Sequence, residues 1–222
     1  FHLIVFAPNS VQEMHDHVAE AFDLAFKYRN PAMILADGAI GQMMEKVVLA
    51  PQRPRKTEEE LRAECGSWAA QGKPAARGRN IVTSLELQSE KMEVINKRLQ
   101  EKYRRLEENE VRYEAIDCDD AEYVIVAFGS SARICSATVE GLKVGLLRPI
   151  TLYPFPKKQI AELAARGVKG FLSAELNAGQ MVEDVRLAVN GLAPVEHYGR
   201  PGGMMFNPDE VLDALKEKLI NK

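Results

Sequence analysis

From Tyr123 onward, short apolar runs alternate with stretches of helical spacing, and few folds accept that rhythm. The runs are YVIVAF (123–128), KVGLLR (143–148), VKGFLSAE (168–175) and PVEHY (194–198). Helical spacing is expected over 131–140, 157–166, 179–189 and 208–220. Strands and helices alternating at this length predict an α/β fold, a mainly parallel sheet wrapped on both faces. Pro156 and Pro208 suit first helical turns, Asn207 with Glu210 gives an N-terminal cap signal, and Gly167 and Gly191 suit helix ends. In such a sheet the functional edge is the carboxyl ends of the strands.

The chain opens with a related unit. Leu3 to Pro8 and Ala32 to Asp37 read as buried strands around a helix that starts at Ser10, with Glu13 at capping-box spacing, and ends near Tyr28 ahead of Pro31. Val11, Met14, Val18, Phe22 and Ala25 share one helical face and are expected to face the core. Between Ala50 and Arg79 the pattern changes. Prolines 51, 54 and 74, glycines and charges replace it, with one short helix from Thr57 to Glu64 and a lone Trp68 expected to pin the segment. Residues 85–114 read as a long charged helix with a narrow stripe of Met92, Ile95, Leu99, Tyr103, Leu106 and Tyr113. Glu93 with Lys97 and Glu101 with Arg105 support it four residues apart. The stripe is too short for a coiled coil and fits a helix laid across domains or a subunit surface.

Composition removes several function classes. The chain has 222 residues and a formal net charge of -3, which gives no global attraction to nucleic acid or an anionic membrane. No apolar run approaches a membrane span, and the opening stretch does not read as a signal peptide. Cys65, Cys118 and Cys135 form no C-x-x-C and have no His cluster nearby, so this chain alone is expected to hold no metal or iron–sulfur site. Three scattered cysteines fit a reducing cytoplasm.

Three segments fall at carboxyl ends of strands. In FGSSARI, Gly129 allows a tight turn and Ser130 or Ser131 is expected to cap the next helix, where backbone N–H groups could instead hold a phosphate or carboxylate. In FLSAELNAGQMVEDV, Glu175 ends a strand, Asn177 follows, and Gly179 and Gln180 start a helix. A capping network explains the carboxylate, but two further amides exceed what one cap needs. In YGRPGGMMFNP, Gly202 and Gly203 lend freedom beside Arg200, which suits an anionic group, a partner carboxylate or a pairing within the chain. No G-x-G-x-x-G occurs. His15 and His17, two apart on a helix, cannot share a metal ion, and His197 reads as structural. No catalytic residue is assigned.

The stretches SVQEMHDHVAEAFDLAFKYRNPAMILADGAIGQMMEKV, NIVTSLELQSEKMEVINKRLQEKYRRLEENEVRYEAID, VGLLRPITLYPFP, ELNAGQMVEDVRLAVNG and YGRPGGM together resemble the alpha-type subunit of 2-oxoacid:ferredoxin oxidoreductases, most nearly the 2-oxoisovalerate (3-methyl-2-oxobutanoate) branch. The resemblance runs over nearly the whole chain. It implies oxidative decarboxylation of a 2-oxoacid with thiamine diphosphate, electron transfer through iron–sulfur clusters to ferredoxin, and formation of an acyl-CoA. It implies the C-terminal half of a thiamine-pyrimidine-binding domain at 1–48, a connecting segment at 49–119, and a transketolase-C-terminal-like domain at 120–222. The first half of the pyrimidine domain, which in the family carries the activating glutamate, is not in this sequence. The connection SSARICSATVEGLKVG is also shorter than the family pattern, with the shortfall near 136–142. Cofactors and clusters are then expected only in the assembled complex, with other subunits and ferredoxin as partners and Glu175, Asn177, Gly179, Gln180, Arg200, Gly202, Gly203, Ser130 and Ser131 bordering an interface or site. A ketoacid dehydrogenase E1-type or transketolase-like component, and a non-catalytic assembly module, are the competing readings.

Overall fold

The opening strand–helix–strand forms, with a different face buried. Strand β1 (Ile4–Phe6) pairs in parallel with β2 (Ala32–Ile34) across helix α1 (Val11–Tyr28). Ser10 accepts from the N–H of Glu13, and Glu13 reaches back to the N–H of Asn9, so both donors at the helix start are satisfied. The buried residues of α1 are His17, Leu24 and Tyr28. Two members of the expected stripe lie outside the core, Val18 at 47% exposed and Phe22 at 65%, while Val11, Met14 and Ala25 are half-buried. Core position is set by what lies opposite. The His17 ring stacks on Phe6 at 4.8 Å, and Leu24 and Tyr28 pack with Ile4, Phe6 and Leu106.

The computed structural model of the protein describes residues 2–221 apart from 71, 73, 74, 77, 140 and 141. Pro74, Glu140 and the middle of the shortened connection therefore lie outside the described residues. The chain divides into two compact units, Phe1–Val48 with Lys102–Lys222, and Leu49–Glu101.

In the second unit, helix α3 (Glu58–Cys65) begins with a full capping box between Thr57 and Glu60. The long charged helix α4 spans Ser89–Asn109, and its C-terminal part belongs to the first unit. It is shorter than expected at both ends. Residues 85–88 are not helical, and Tyr113 begins strand β3 (Tyr113–Ile116). A short helix α2 (Gly38–Gln42) follows β2 in the first unit.

The rest of the first unit is built on five strands in the order β3-β5-β4-β7-β8. Strands β4 (Tyr123–Val126), β5 (Val144–Pro149), β7 (Gly170–Glu175) and β8 (Val195–Gly199) are parallel, and β3 is an antiparallel edge on β5. Strand β6 (Thr151–Tyr153) leaves β5 and pairs antiparallel with β1, so the two sheets are joined through one short stretch of chain. The period of two decides which face each residue covers. Val124, Val126 and Phe171 meet Ile160, Leu163, Met181 and Val185 from helices α6 (Lys157–Ala165) and α7 (Met181–Val189). Their neighbours Ile125, Ala127 and Leu172 meet Ala132, Cys135, Val211 and Leu215 from α5 (Gly129–Val139) and α8 (Pro208–Leu215). A π-helical turn, Lys216–Ile220, extends α8. The chain leaves β4 for β5 on one side and later places β7 on the other. The carboxyl ends of β4 and β7 thus flank the point where strand order reverses, the usual ligand-bearing edge of such sheets.

Candidate functional site

Glu175 ends β7 at that edge and is 1% exposed. Its two oxygens are fully used. One accepts from the N–H groups of Gln180 (3.0 Å) and Met181 (2.9 Å). The other accepts from the N–H of Val182 and the hydroxyl of Ser173, both at 2.9 Å. Burial by itself raises the pKa of this carboxyl, but the three backbone donors and the Ser173 hydroxyl outweigh it and hold it below the ordinary range. Chemically Glu175 is a buried anion that closes the N-terminus of α7, and it is not free to move a proton.

The following residues serve the same turn. The side chain of Asn177 accepts from the N–H of Gly179 at 2.7 Å. Gly179 has φ +105°, where a side chain would strain the backbone. Gln180 is exposed and gives its backbone N–H to Glu175. The His197 imidazole of β8 lies beside this turn, with Nε2 4.0 Å from Glu175 and, among the described residues, no hydrogen-bond partner for that nitrogen. It fits because Gly199 has no side chain: a Cβ there would stand 2.2 Å from the Asn177 carbonyl oxygen and 2.6 Å from the His197 ring.

Ser130 and Ser131 do not cap α5. Both are buried within its first turn, after Gly129 at φ +56°. The anion at this helix end is Asp37, from the segment after β2. Asp37 accepts from Ala39 (2.9 Å) and Ile40 (3.0 Å) to cap α2, and from the Ser130 N–H at 3.4 Å. Burial raises its pKa, but the Ser130 hydroxyl and these N–H groups prevail and leave it lowered. A phosphate at this terminus would have to displace a carboxylate already seated there.

Arg200 pairs with Glu210 at 2.8 Å and donates to the Met205 carbonyl at 3.3 Å. Of the alternatives for this cation, the structure has the pairing within the chain. Gly202 and Gly203, at φ +80° and +84°, turn the loop so that Met204 and Met205 are exposed at its tip.

Two features escaped the sequence. Asp37 looked like the end of a strand, and only the fold brings it to Ser130. Arg148, 3% exposed in β5, is paired with Glu13 of α1 and with Glu114 of β3, the latter at 3.0 Å. Nothing in the spacing of residues 13, 114 and 148 announces that triad. A cavity of about 570 Å³ lies beside α6, lined by Glu107, Tyr153, Lys157, Gln159 and Asp184 among others. Its mixture of cations and carboxylates favours no single ligand charge. Among the described residues no group of three or more His, Cys, Asp or Glu is placed to hold a metal ion, and no helix is long and apolar enough to cross a membrane.

Comparison with known proteins adds the following. Residues 1–113 match the family profile described as pyruvate flavodoxin/ferredoxin oxidoreductase, thiamine-diphosphate-binding, and residues 121–211 match pyruvate:ferredoxin oxidoreductase core domain II. The ketoisovalerate oxidoreductase subunit VorB of Methanothermobacter thermautotrophicus is 47% identical over 219 residues, covering 96% of this chain and 60% of that relative. The 2-oxoglutarate synthase subunit KorA of Methanothermobacter marburgensis is 30% identical over 239 residues, covering 97% and 64%. A solved 2-oxoglutarate:ferredoxin oxidoreductase from Magnetococcus marinus superposes with TM-score 0.71 at 19% identity, covering 96% of this chain and 42% of that one, which shows a shared fold. The chain thus spans about 60% of the length of the VorB relative.

Proposed function

The chain belongs to the pyruvate flavodoxin/ferredoxin oxidoreductase family as an alpha-type chain, and we propose that it works as one subunit of a thiamine-diphosphate-dependent 2-oxoacid:ferredoxin oxidoreductase acting on a branched-chain 2-oxoacid. The observation that carries this is the 47% identity to a ketoisovalerate oxidoreductase subunit over 96% of the chain. The assembled complex would release CO2, form an acyl-CoA and pass electrons to ferredoxin in the cytoplasm. Residues 1–48 would complete a pyrimidine-binding domain, residues 49–119 would connect, and residues 120–222 would form the transketolase-C-terminal-like domain.

The residues at the carboxyl edge do not fit thiamine diphosphate on their own. The α5 and α7 termini already hold Asp37 and Glu175, and Arg200 is paired with Glu210. No step of the reaction is therefore placed on these side chains. Their role in this reading is to fix loops: Glu175 and Asn177 set the turn before α7, and Gly202 and Gly203 set the Met204–Met205 tip. The exposed parts of those loops, Gln180 and the Gly202–Met205 tip, would border the complex's active site or a subunit face. Iron–sulfur clusters, CoA and the diphosphate would be held mainly by partner subunits.

The same internal closure favours a second reading, an assembly module with no part in the chemistry. The two separate on one experiment. Gln180→Ala in the assembled complex lowers activity or assembly while leaving the melting temperature unchanged if the loop borders the site. Full activity after changes at Gln180, Gly202 and Gly203 would favour the assembly module.

A further inference from the structure

Of the asparagines in this chain, only Asn190 is followed by glycine. The side-chain amide of an asparagine can be attacked by the backbone nitrogen of the next residue, and a side chain on that residue crowds the ring that closes. Glycine has none. Asn30 and Asn207 precede proline, whose nitrogen carries no N–H.

The turn at Asn190 leaves both reacting groups unengaged. Asn190 closes α7 in the left-handed region, at φ 50° and ψ 40°, and its own N–H reaches back to the Arg186 carbonyl at 3.0 Å. Gly191 follows at φ +78°, with nothing within 4 Å of where a Cβ would stand. Among the described residues no hydrogen bond engages the Asn190 side chain or the Gly191 N–H. Ring closure requires ψ of Asn190 to swing away from 40°. The bond that spans this peptide is the Leu192 N–H to the Val189 carbonyl, at 3.1 Å. Gly191 and Leu192, which take up the swing, are both exposed, and helix ends open at low cost.

Two similar positions are held. Asp37–Gly38 can close the same ring, but the Asp37 carboxylate accepts from Ala39, Ile40 and Ser130, and an ionised carboxylate is a poor electrophile. Asn177 is tied through its side-chain oxygen to the Gly179 N–H at 2.7 Å and is followed by Ala178.

We propose that Asn190 is a site of spontaneous deamidation, a slow covalent change that loosens the connection between α7 and β8 as the protein ages. The Gly191 nitrogen bonds to Asn190 Cγ and gives its proton to water, the Cγ–Nδ2 bond breaks, and ammonia leaves. Water then opens the succinimide at either carbonyl. The residue becomes aspartate or, with the backbone rerouted through Cγ, isoaspartate. Both products put a carboxylate at the C-terminal end of α7, the negative end of its dipole. Isoaspartate also lengthens the backbone between Val189, which is fully buried, and the chain entering β8.

The experiment incubates the full-length chain, alone and assembled with its native partners, at pH 8 and 37 °C. Peptides from an acid digest are then followed by mass spectrometry, with isoaspartate quantified separately. Asn190 is expected to convert at least tenfold faster than any other asparagine in both samples, mainly to isoaspartate, with Asp37 unchanged. Aged wild type should melt at a lower temperature than fresh protein. Asn190→Gly, which suits the left-handed cap, should melt at the same temperature before and after ageing. Conversion of Asn190 no faster than the other asparagines in the native chain, against rapid conversion in the urea-unfolded chain, would overturn the proposal, because the cap would then hold the ring-closing geometry shut. Protection in the assembled complex would overturn it too, as would converted protein with an unchanged melting temperature.

Discussion

Replacing Glu175 tests how the α7 turn is built. The carboxylate is buried and accepts four hydrogen bonds, three of them from backbone N–H groups at a helix start. Glu175→Ala strands those donors and leaves a void. Breaking a buried charged network of this kind costs about 3–5 kcal/mol. Glu175→Gln should cost less, for a geometric reason. The amide oxygen can still face Gln180 and Met181, and the amide NH₂ can face Ser173, whose hydroxyl turns to accept. Only the Val182 N–H then loses its partner, so the cost is about 2 kcal/mol, one orphaned donor plus the lost charge at the helix terminus. The assay is urea unfolding of the full-length chain, reading the midpoint at constant slope. The pH dependence has a fixed sign. The folded carboxyl titrates below its unfolded value near 4.3, so its stabilisation is complete above that value and is lost as pH falls through the lower, folded pKa. Wild type should lose stability on acidification more steeply than Glu175→Ala. A Glu175→Ala protein within about 1 kcal/mol of wild type, with the same acid limb, would refute the capping account.

Other perturbations follow from the same geometry. Gly199→Ala places a Cβ 2.2 Å from the Asn177 carbonyl oxygen and against the His197 ring, so the turn must move; a loss of about 3 kcal/mol in unfolding free energy is expected. Arg148→Ala removes the buried member of its set with Glu13 and Glu114 and leaves those carboxylates, 27% and 48% exposed, to rehydrate, so a loss of about 1–2 kcal/mol is expected, measured the same way. Burial pushes the Cys135 thiol up to about 12 and the Cys118 thiol up to about 11, so both should resist iodoacetamide at pH 8 in the native chain and react only on unfolding, followed by mass spectrometry.

What could be read before folding was set by local chemistry. The Ser10, Thr57 and Asn207 caps each lie within three residues of their partner, and all three form. The strands β4, β5 and β7 stood out because parallel strands covered on both faces are largely continuous apolar runs, whereas the half-buried edge strand β8, with Glu196 and His197, was marked by its place in the alternation. The misses depend on distance along the chain. The buried face of α1 is chosen by Phe6 and Leu106, so Val18 and Phe22 satisfied the helical period and still face outward. The helix expected to run through Tyr113 stops at Asn109 because residues 113–116 are captured by β5. Glu175 was legible as a cap, since its donors lie five to seven residues on. Asp37 reads as a strand end, because its local cap falls on a helix of only five residues and its Ser130 donor is 93 residues away.

The most direct test of the central claim is viologen reduction by the full-length chain purified with its native partners. 2-Oxoisovalerate, pyruvate and 2-oxoglutarate are supplied separately, each with and without CoA and thiamine diphosphate. The account predicts reduction that requires CoA and is fastest with 2-oxoisovalerate. No reduction with any of the three acids, from a complex carrying intact clusters and thiamine diphosphate, would contradict it.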